Sequence, residues 1–129
     1  MRGEVFLNKS KVRALRGAIT VEENSGEAIL EATRELLQAM VEENNVEVED
    51  IISIIFTMTK DLNAVFPAYA ARQLGWVHVP LLCCTEIEVP ESLPRCIRVL
   101  MHIHSSCEQQ ELKHLYLNEA AQLRQDLSS

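Results

Sequence analysis

Residues Arg95–His104 read RCIRVLMHIH, a segment dominated by β-branched and large apolar residues. This composition predicts a strand that is at least half buried. Arg98 stands in its middle, and because a guanidinium keeps its proton, a buried arginine needs an anion or several acceptors. Its partner could be a carboxylate of the protein in a structural salt bridge, an anionic ligand, or water on an exposed sheet face. The strand alone leaves these three alternatives open.

Other segments of the chain also have the pattern of strands. They are Val12–Val21, Ile51–Thr59, Val77–Cys84 and, as a short strand, His114–Leu117. Ile51–Thr59 is an almost continuous apolar run, which is typical of a central strand covered on both faces. Pro80 predicts an edge or irregular position for the third strand, because proline cannot donate to a neighbouring strand. Arg16 ends an otherwise small, apolar face of the first strand, either as an exposed strand-end residue or as a functional one.

Helical spacing and capping signals predict helices between these strands. They are expected over residues 25–44, 66–74 and 107–112, with a further turn over 118–123. Asn24 or Ser25 can cap the long first helix, and Asn24 with Glu27 has the spacing of a capping box. Pro67 suits the first position of the second helix, and Gly75 suits the C-terminal side of the same helix.

The order of these elements predicts an α/β or α+β fold, with helices covering one face of a mixed β-sheet. A length of 129 residues suits a single domain. The apolar run Ile51–Thr59 requires cover for the second face of the sheet as well. A self-associating oligomer would supply that cover without any additional sequence.

Composition and charge exclude several classes of function. The net charge of −7 disfavours nucleic acid and anionic membranes as partners, so any anion site must be a local basic cluster. No apolar stretch has a membrane-spanning length and no signal peptide is visible, so we expect a cytoplasmic protein. The four cysteines form no CxxC pair, and His102 with His104 lacks a second pair of ligands. We therefore expect reduced thiols, no metal and no cofactor.

Five blocks of the sequence, in one collinear order, resemble the monofunctional AroH-class chorismate mutases. They are VRALRGAITVE at 12–22, DLNAVFPAYAAR at 61–72, VPLLCCTEIEV at 79–89, RCIRVLMHIH at 95–104 and HLYLNEAAQLRQDL at 114–127. The resemblance implies a single chorismate mutase domain over residues 12–129, with residues 1–11 as an N-terminal extension outside it. It also implies a homotrimer of the pseudo-α/β-barrel type, in which each active site lies between neighbouring subunits.

The resemblance further implies a reaction, the rearrangement of chorismate to prephenate for phenylalanine and tyrosine synthesis. The implied catalytic residues are Arg98 at the ether oxygen of the substrate, Glu86 at its ring hydroxyl and Arg16 at a carboxylate. The implied substrate-binding residues are Cys83, Tyr116, Phe66, Ala68, Arg72, Leu81 and Leu123, with Arg124 as a further candidate beside Arg72. One subunit would supply mainly Arg16, Cys83, Glu86, Arg98 and Tyr116, and the next mainly Phe66, Ala68, Arg72 and Leu81.

Two positions depart from the family pattern. Leu82 stands where the family usually has a small hydroxyl residue, and Tyr69 stands where it often has lysine. One hydrogen bond and one positive charge are thereby lost, so lower substrate affinity is expected. These departures favour a second hypothesis, a non-catalytic trimeric module that binds a small carboxylate. Trimeric imine-hydrolysing enzymes of similar fold rank last, because their characteristic blocks are absent.

Overall fold

The computed structural model of the protein describes residues 11–123 as a mixed five-stranded sheet with two helices. The strands are β1 (Lys11–Thr20), β2 (Ile51–Met58), β3 (Leu81–Thr85), β4 (Cys96–Ser105) and β5 (Leu115–Leu117). The helices are α1 (Gly26–Glu43) and α2 (Ala68–Gln73), with 3-10 turns at Val48–Asp50, Gln109–Glu111 and Asn118–Ala121. The predicted extension, except Lys11, and the predicted contribution of Arg124 lie outside the described residues. Within 11–123, no helix has the length and apolar character needed to cross a membrane.

β4, which contains Arg98, is the middle strand of the sheet. The strand order is β3-β2-β4-β1-β5, and β4 runs antiparallel to both neighbours, pairing Arg98 with Ala18 of β1 and Thr57 of β2. The edge strands β3 and β5 run parallel to β2 and β1. The strand predicted at Arg95–His104 is therefore confirmed, shifted by one residue. Arg95 stands just before it in a left-handed conformation with a φ of 47°.

The core lies between one face of the sheet and the helices. Alternate residues of β4 are at most 3 % exposed there, namely Ile97, Val99, Met101 and Ile103. α1 contributes fully buried residues at the predicted helical spacing, namely Ile29, Leu36, Leu37 and Met40. Burying one such side chain contributes about 1.5–3 kcal/mol. Because side chains alternate along a strand, Arg98 belongs to the opposite face.

Asn24 and Ser25, which precede α1, make different hydrogen bonds. Ser25 is the N-cap, because its hydroxyl accepts the N–H of Ala28 at 3.1 Å. The side-chain oxygen Oδ1 of Asn24 instead accepts the N–H of Asn63 at 3.0 Å, which holds the loop that leads into α2. The capping box predicted from Asn24 and Glu27 is therefore wrong, because the Asn24 side chain is used by a distant loop.

The strand predicted at Val77–Cys84 is wrong in its first half. Residues 77–79 form a turn, and pairing with β2 begins only after it. Gly75, with a φ of 88°, ends the preceding helix, and Val79 is buried at 4 % exposure. Val79 is therefore buried in a turn without strand pairing, whereas Val77 is 60 % exposed. The edge position that Pro80 predicted for the strand is confirmed.

The segment after β4 is less helical than predicted. The helix expected over 107–112 is reduced to one 3-10 turn at Gln109–Glu111, which begins with a capping box between Glu108 and Glu111 and ends where Leu112 is extended, with a ψ of 147°. The chain then extends into β5, which confirms the short strand predicted at His114–Leu117. The turn expected over 118–123 is the 3-10 turn that follows.

The second face of the sheet, here called the outer face, is apolar at several positions. Val12 of β1 is 56 % exposed and Leu82 of β3 is 58 % exposed. Ile55 and Leu100 pair with each other next to Leu82 and are only partly buried. Ile51–Thr59 was predicted to be covered on both faces. Within the described part of the chain, only its core face is covered.

Gly17 of β1 lies directly beneath α1, where a side chain has no room. A Cβ at this position would stand 2.6 Å from Met40 Sδ and 3.1 Å from Leu36 Cδ1. We expect Gly17→Ala to lower the free energy of unfolding by about 1–3 kcal/mol through overpacking, as measured by urea denaturation. Gly26→Ala is the matched control, because its nearest neighbour, Val65 Cβ, is 3.9 Å away. Equal stability of the two variants would contradict the packing argument.

Candidate active site

A row of side chains crosses the outer face at the level of Arg98. The strand register places Thr57, Arg98, Ala18 and Tyr116 side by side on β2, β4, β1 and β5. Ala18 is fully buried in a small cluster against which Tyr116 and Leu123 pack. Arg16 lies one step along β1 on the same face, paired with Leu100. The structure thus brings Arg98, Arg16 and Tyr116 to one surface.

Glu86 is held against Arg98 by the end of β2. Its Oε2 lies 3.2 Å from Arg98 Nη1, and the two side chains are 21 % and 22 % exposed. The Thr57 hydroxyl donates to the other carboxylate oxygen, and the Glu86 N–H donates to Met58 O at 3.1 Å. Both carboxylate oxygens and the backbone of Glu86 are therefore engaged. Among the three alternatives for the partner of Arg98, this structure shows a carboxylate of the protein.

Arg16 and Tyr116 form a second polar centre beside this pair. The Arg16 guanidinium carbon lies 6.0 Å from the centre of the Tyr116 ring, at the outer limit of a cation–π contact. The Tyr116 hydroxyl is buried, and it has no hydrogen-bond partner among residues 11–123. A buried hydroxyl without a partner costs about 1–3 kcal/mol. This hydroxyl can therefore bind a polar group from outside residues 11–123, such as a group of a ligand or of another chain.

The outer-face residues have the electrostatic character of an anion site. Two guanidinium groups, Arg98 and Arg16, stand on one face of a chain whose net charge is −7. They form the local basic cluster that an anionic ligand would need here. Glu86 adds a fixed acceptor next to them. The arrangement can bind an anion through the arginines and accept a hydrogen bond from a hydroxyl of the same molecule.

Other predicted residues lie around a cleft of about 600 Å³ beside β3. Phe66 and Cys83 line this cleft together with Tyr69. The Phe66 and Tyr69 rings meet edge to face at 5.8 Å, and the residues are 60 % and 52 % exposed. Ala68 and Leu81 are partly buried against the core. Exposed rings at an apolar cleft are typical of a surface that binds a ligand or another chain.

Cys83 lies on the core side of the sheet. Its partner on β2 is the fully buried Phe56, whereas Thr57, which holds Glu86, pairs with Cys84. Burial raises the pKa of the Cys83 thiol, so this group is protonated at neutral pH. Within one chain the structure does not bring Cys83 to Glu86, with which the resemblance grouped it.

Arg72 lies on α2 and is engaged with its own helix. Its Nη1 donates to the carbonyl of Trp76 at 2.5 Å, just beyond the C-terminal end of α2. A cation at this end is favoured by the helix dipole. Arg72 is nevertheless an exposed residue, so part of its guanidinium faces solvent.

The predicted site residues therefore form two groups within one chain. The arginine group, on the outer face, consists of Arg16, Glu86, Arg98, Tyr116 and Leu123. The cleft group, on the cleft, α2 and β3, consists of Phe66, Ala68, Arg72, Leu81 and Cys83.

Two residues that the sequence did not single out contact this site. Thr57 holds Glu86, and its only sequence signal is a hydroxyl near the end of an apolar strand. His114 Nδ1 accepts the backbone N–H of Arg16 at 3.0 Å. A lone histidine before a short strand carries no signal for such a contact, because the contact depends on which strand lies next to β5.

Comparison with known proteins gives one consistent family. The model of the family described as chorismate mutase type I matches residues 12–127. A protein named chorismate mutase AroH from Thermus thermophilus is 53% identical over 119 residues, covering 92% of this chain and 98% of the relative. Its namesake from Bacillus subtilis is 43% identical over 118 residues, covering 91% of this chain and 93% of the relative.

The solved structures give the same result. The structure of a chorismate mutase from Clostridium thermocellum matches with a TM-score of 0.83 and 52% identity, covering 84% of this chain and 96% of that chain. Similarity in fold and in sequence therefore extends over nearly the whole of each protein. The chain belongs to the type I chorismate mutase family.

Proposed function

We propose that the protein is a chorismate mutase, a cytoplasmic isomerase that converts chorismate to prephenate in aromatic amino acid biosynthesis. The observation that carries this proposal is the Arg98–Glu86 pair, held on the sheet face of a chain of this family. Relatives that bear the name of this activity match over more than nine-tenths of their own length.

The reaction requires little of the protein except shape and charge. The ether bond of chorismate breaks as a carbon–carbon bond forms in one pericyclic step, so no proton moves and no covalent enzyme intermediate forms. Negative charge grows on the ether oxygen and the enolpyruvyl fragment, and positive charge grows on the ring. A protein accelerates this step by holding the compact chair-like conformer and by stabilising the separated charges.

Arg98 is the residue that we assign to the ether oxygen. Glu86 faces a single nitrogen of its guanidinium, which has five N–H donors, so other donors can face the substrate. Glu86 and Thr57 meanwhile hold the group in place. A cation that is fixed before the reaction needs no rearrangement as charge develops, and one such donor contributes about 3–4 kcal/mol. Glu86 is the acceptor assigned to the ring hydroxyl, close to the growing positive charge.

Arg16 and Tyr116 are assigned to a substrate carboxylate. The Tyr116 hydroxyl lacks a partner among the described residues, and a carboxylate oxygen would satisfy it. Arg16, beside the ring, would supply the opposite charge. The cleft group would complete the site, with Phe66 as an apolar wall and Arg72 as the cation that guides the dianion.

We further propose that three chains form a homotrimer, with each site built from the arginine group of one chain and the cleft group of the next. Two observations support this arrangement. The two groups occupy separate parts of a single chain, and the outer face exposes Val12 and Leu82. Packing of outer faces against one another would bury this apolar surface and give the pseudo-barrel that the family resemblance implies.

The loss of chorismate absorbance on addition of purified protein tests the proposed activity. We expect a rate that is proportional to protein concentration and far above the uncatalysed background, with prephenate as the product. Saturable binding of chorismate without conversion would instead identify the carboxylate-binding module that Leu82 and Tyr69 favour. No rate above background from a folded, trimeric protein would overturn the proposal.

A further inference from the structure

The edge of β1 that faces β5 is completed by side chains. β5 pairs with β1 only at Gly17, Ala18 and Ile19. One step before this pairing begins, the N–H of Arg16 donates to His114 Nδ1 at 3.0 Å. The imidazole nitrogen therefore stands where the next acceptor of a longer strand would be.

A second side chain continues the same edge. The N–H of Ala14 donates to Gln109 Oε1 at 2.9 Å, and Gln109 Nε2 donates to Ala14 O at 2.6 Å. Arg16 thus lies between Ala14, which Gln109 holds, and Gly17, where the pairing with β5 begins. His114 accepts the N–H of Arg16 itself.

His114 is itself held firmly enough to serve as an anchor. It directly precedes β5, and the Asn44 side chain bonds to both backbone groups of Lys113, accepting its N–H at 2.7 Å and donating to its carbonyl at 2.9 Å. The imidazole is therefore positioned by α1 on one side and by β5 on the other.

We propose that His114 is a positioning residue for Arg16, whose neutral imidazole fixes the backbone of β1 so that the Arg16 guanidinium stays beside Tyr116. This inference rests on the proposed function, because it matters for activity only if Arg16 binds the substrate carboxylate. His114 is not assigned a contact with the substrate. Its effect passes through the main chain of Arg16.

The contact requires an unprotonated Nδ1, because a histidine that carries two protons has no acceptor. Burial, and then the charge of Arg16, lower the pKa of His114 below its ordinary value of 6.5. Glu42 and Glu43 at the end of α1, Lys113 before β5 and Lys11 of β1 are exposed, and the partly buried Arg13 of β1 is paired with Glu108. The imidazole is therefore neutral and able to accept the hydrogen bond at physiological pH.

The lowered pKa fixes the direction of the pH effect. The unfolded chain takes up a proton near pH 6.5, whereas the folded protein does so only at lower pH. The stability that this group contributes is therefore fully present above pH 6.5 and is lost as the pH falls through the lowered folded value. As the pH falls through the folded pKa of His114, the hydrogen bond that fixes the backbone of Arg16 is lost as well, because the protonated ring cannot accept the Arg16 N–H.

Two substitutions distinguish the role of His114 as a hydrogen-bond acceptor from the effect of its protonation. His114→Asn keeps an acceptor near the position of Nδ1 but does not titrate, whereas His114→Leu removes the acceptor. We expect His114→Leu to raise KM about 3- to 10-fold with little change in kcat, because the loss falls on a carboxylate contact made in both ground and transition states. In the wild type we expect KM to rise at acid pH, and His114→Asn should keep KM near the wild-type value and abolish that rise. His78→Asn, which changes an exposed histidine, is the matched control.

The backbone ¹⁵N shift of Arg16 tests the contact without any use of activity. In the wild type this shift should follow the titration of His114, and in His114→Asn it should not change over the same pH range. An Arg16 amide that is indifferent to pH, or a His114→Leu variant with wild-type KM, would overturn the inference. If His114→Leu does not fold, the pH profile and the amide titration of His114→Asn decide the matter. Absence of turnover in the wild type would instead contradict the proposed function, and the amide result would still stand.

Discussion

Arg98→Ala is expected to lower kcat by about a thousandfold or more, because it removes the cation that faces the breaking ether bond. The pericyclic step uses no general acid or base in the proposed mechanism, so no other group of the site can replace this charge. The steady-state rate of chorismate loss, measured up to saturating substrate, gives kcat and KM separately. A fall in kcat would place the effect in the transition state rather than in binding.

Alanine also leaves Glu86 without its ion-pair partner, and an unpaired carboxylate would repel a dianionic substrate. Arg98→citrulline reduces this ambiguity, because its neutral side chain keeps the shape and most of the donors, so Glu86 can keep a hydrogen-bond partner while the positive charge is removed. The double variant Arg98→Ala/Glu86→Ala removes the unpaired carboxylate as well. We expect all three proteins to be slow, because each of them lacks the cation that faces the ether oxygen.

A control must show that loss of a cation elsewhere has little effect. Lys11→Ala removes a positive charge from an exposed ion pair with Glu108, 2.7 Å long at the start of β1. We expect its kcat to stay within about twofold of wild type, since surface substitutions of this kind are usually small in effect. Near-normal turnover of Arg98→citrulline would show that charge at this position does not drive the reaction.

The central strand could be predicted because its sequence and its environment agree. Alternate positions of RCIRVLMHIH are apolar and buried, and the intervening Arg98 falls on the other face as a two-residue period requires. Val79 is also apolar and buried but lies in a turn, because an apolar residue can be buried without strand pairing, and Val77 of the same turn is 60 % exposed. Composition thus predicted a strand at both places, and residues 77–79 do not form one.

The partners of the candidate site residues depend on contacts between distant segments, which local sequence does not encode. The sequence showed that Arg98 needs an acceptor but could not choose Glu86, because that choice follows from the pairing of β4 with β2 and of β2 with β3. The same holds for Thr57 and His114, whose partners come from neighbouring strands. The family resemblance proposed which residues matter, and the sheet register shows how they are held within one chain.

Mixing two inactive variants should restore activity if each site is shared between chains. Arg98→Ala damages the arginine group, and Arg72→Glu damages the cleft group by placing a negative charge where the dianion enters. When the two variants are co-expressed in equal amounts, about one quarter of the interfaces in randomly assembled rings would combine an intact arginine group with an intact cleft group. We therefore expect the mixture to recover about one quarter of wild-type activity, although neither parent alone is active.

The matched control places both substitutions in one chain and mixes that double variant with wild type. A shared site again leaves about one quarter of the interfaces intact, whereas a site contained within one chain would leave about one half. The two hypotheses thus differ in both mixtures, since an unshared site predicts no recovery when the substitutions are on separate chains. Leu82 and Tyr69 are present at every site in both mixtures. Recovery of one quarter of the activity in both would therefore also show that these two residues are compatible with turnover. No recovery from the separate variants, with mixed oligomers verified by mass spectrometry, would contradict the shared site and leave Arg98 and Arg72 to act within a single subunit.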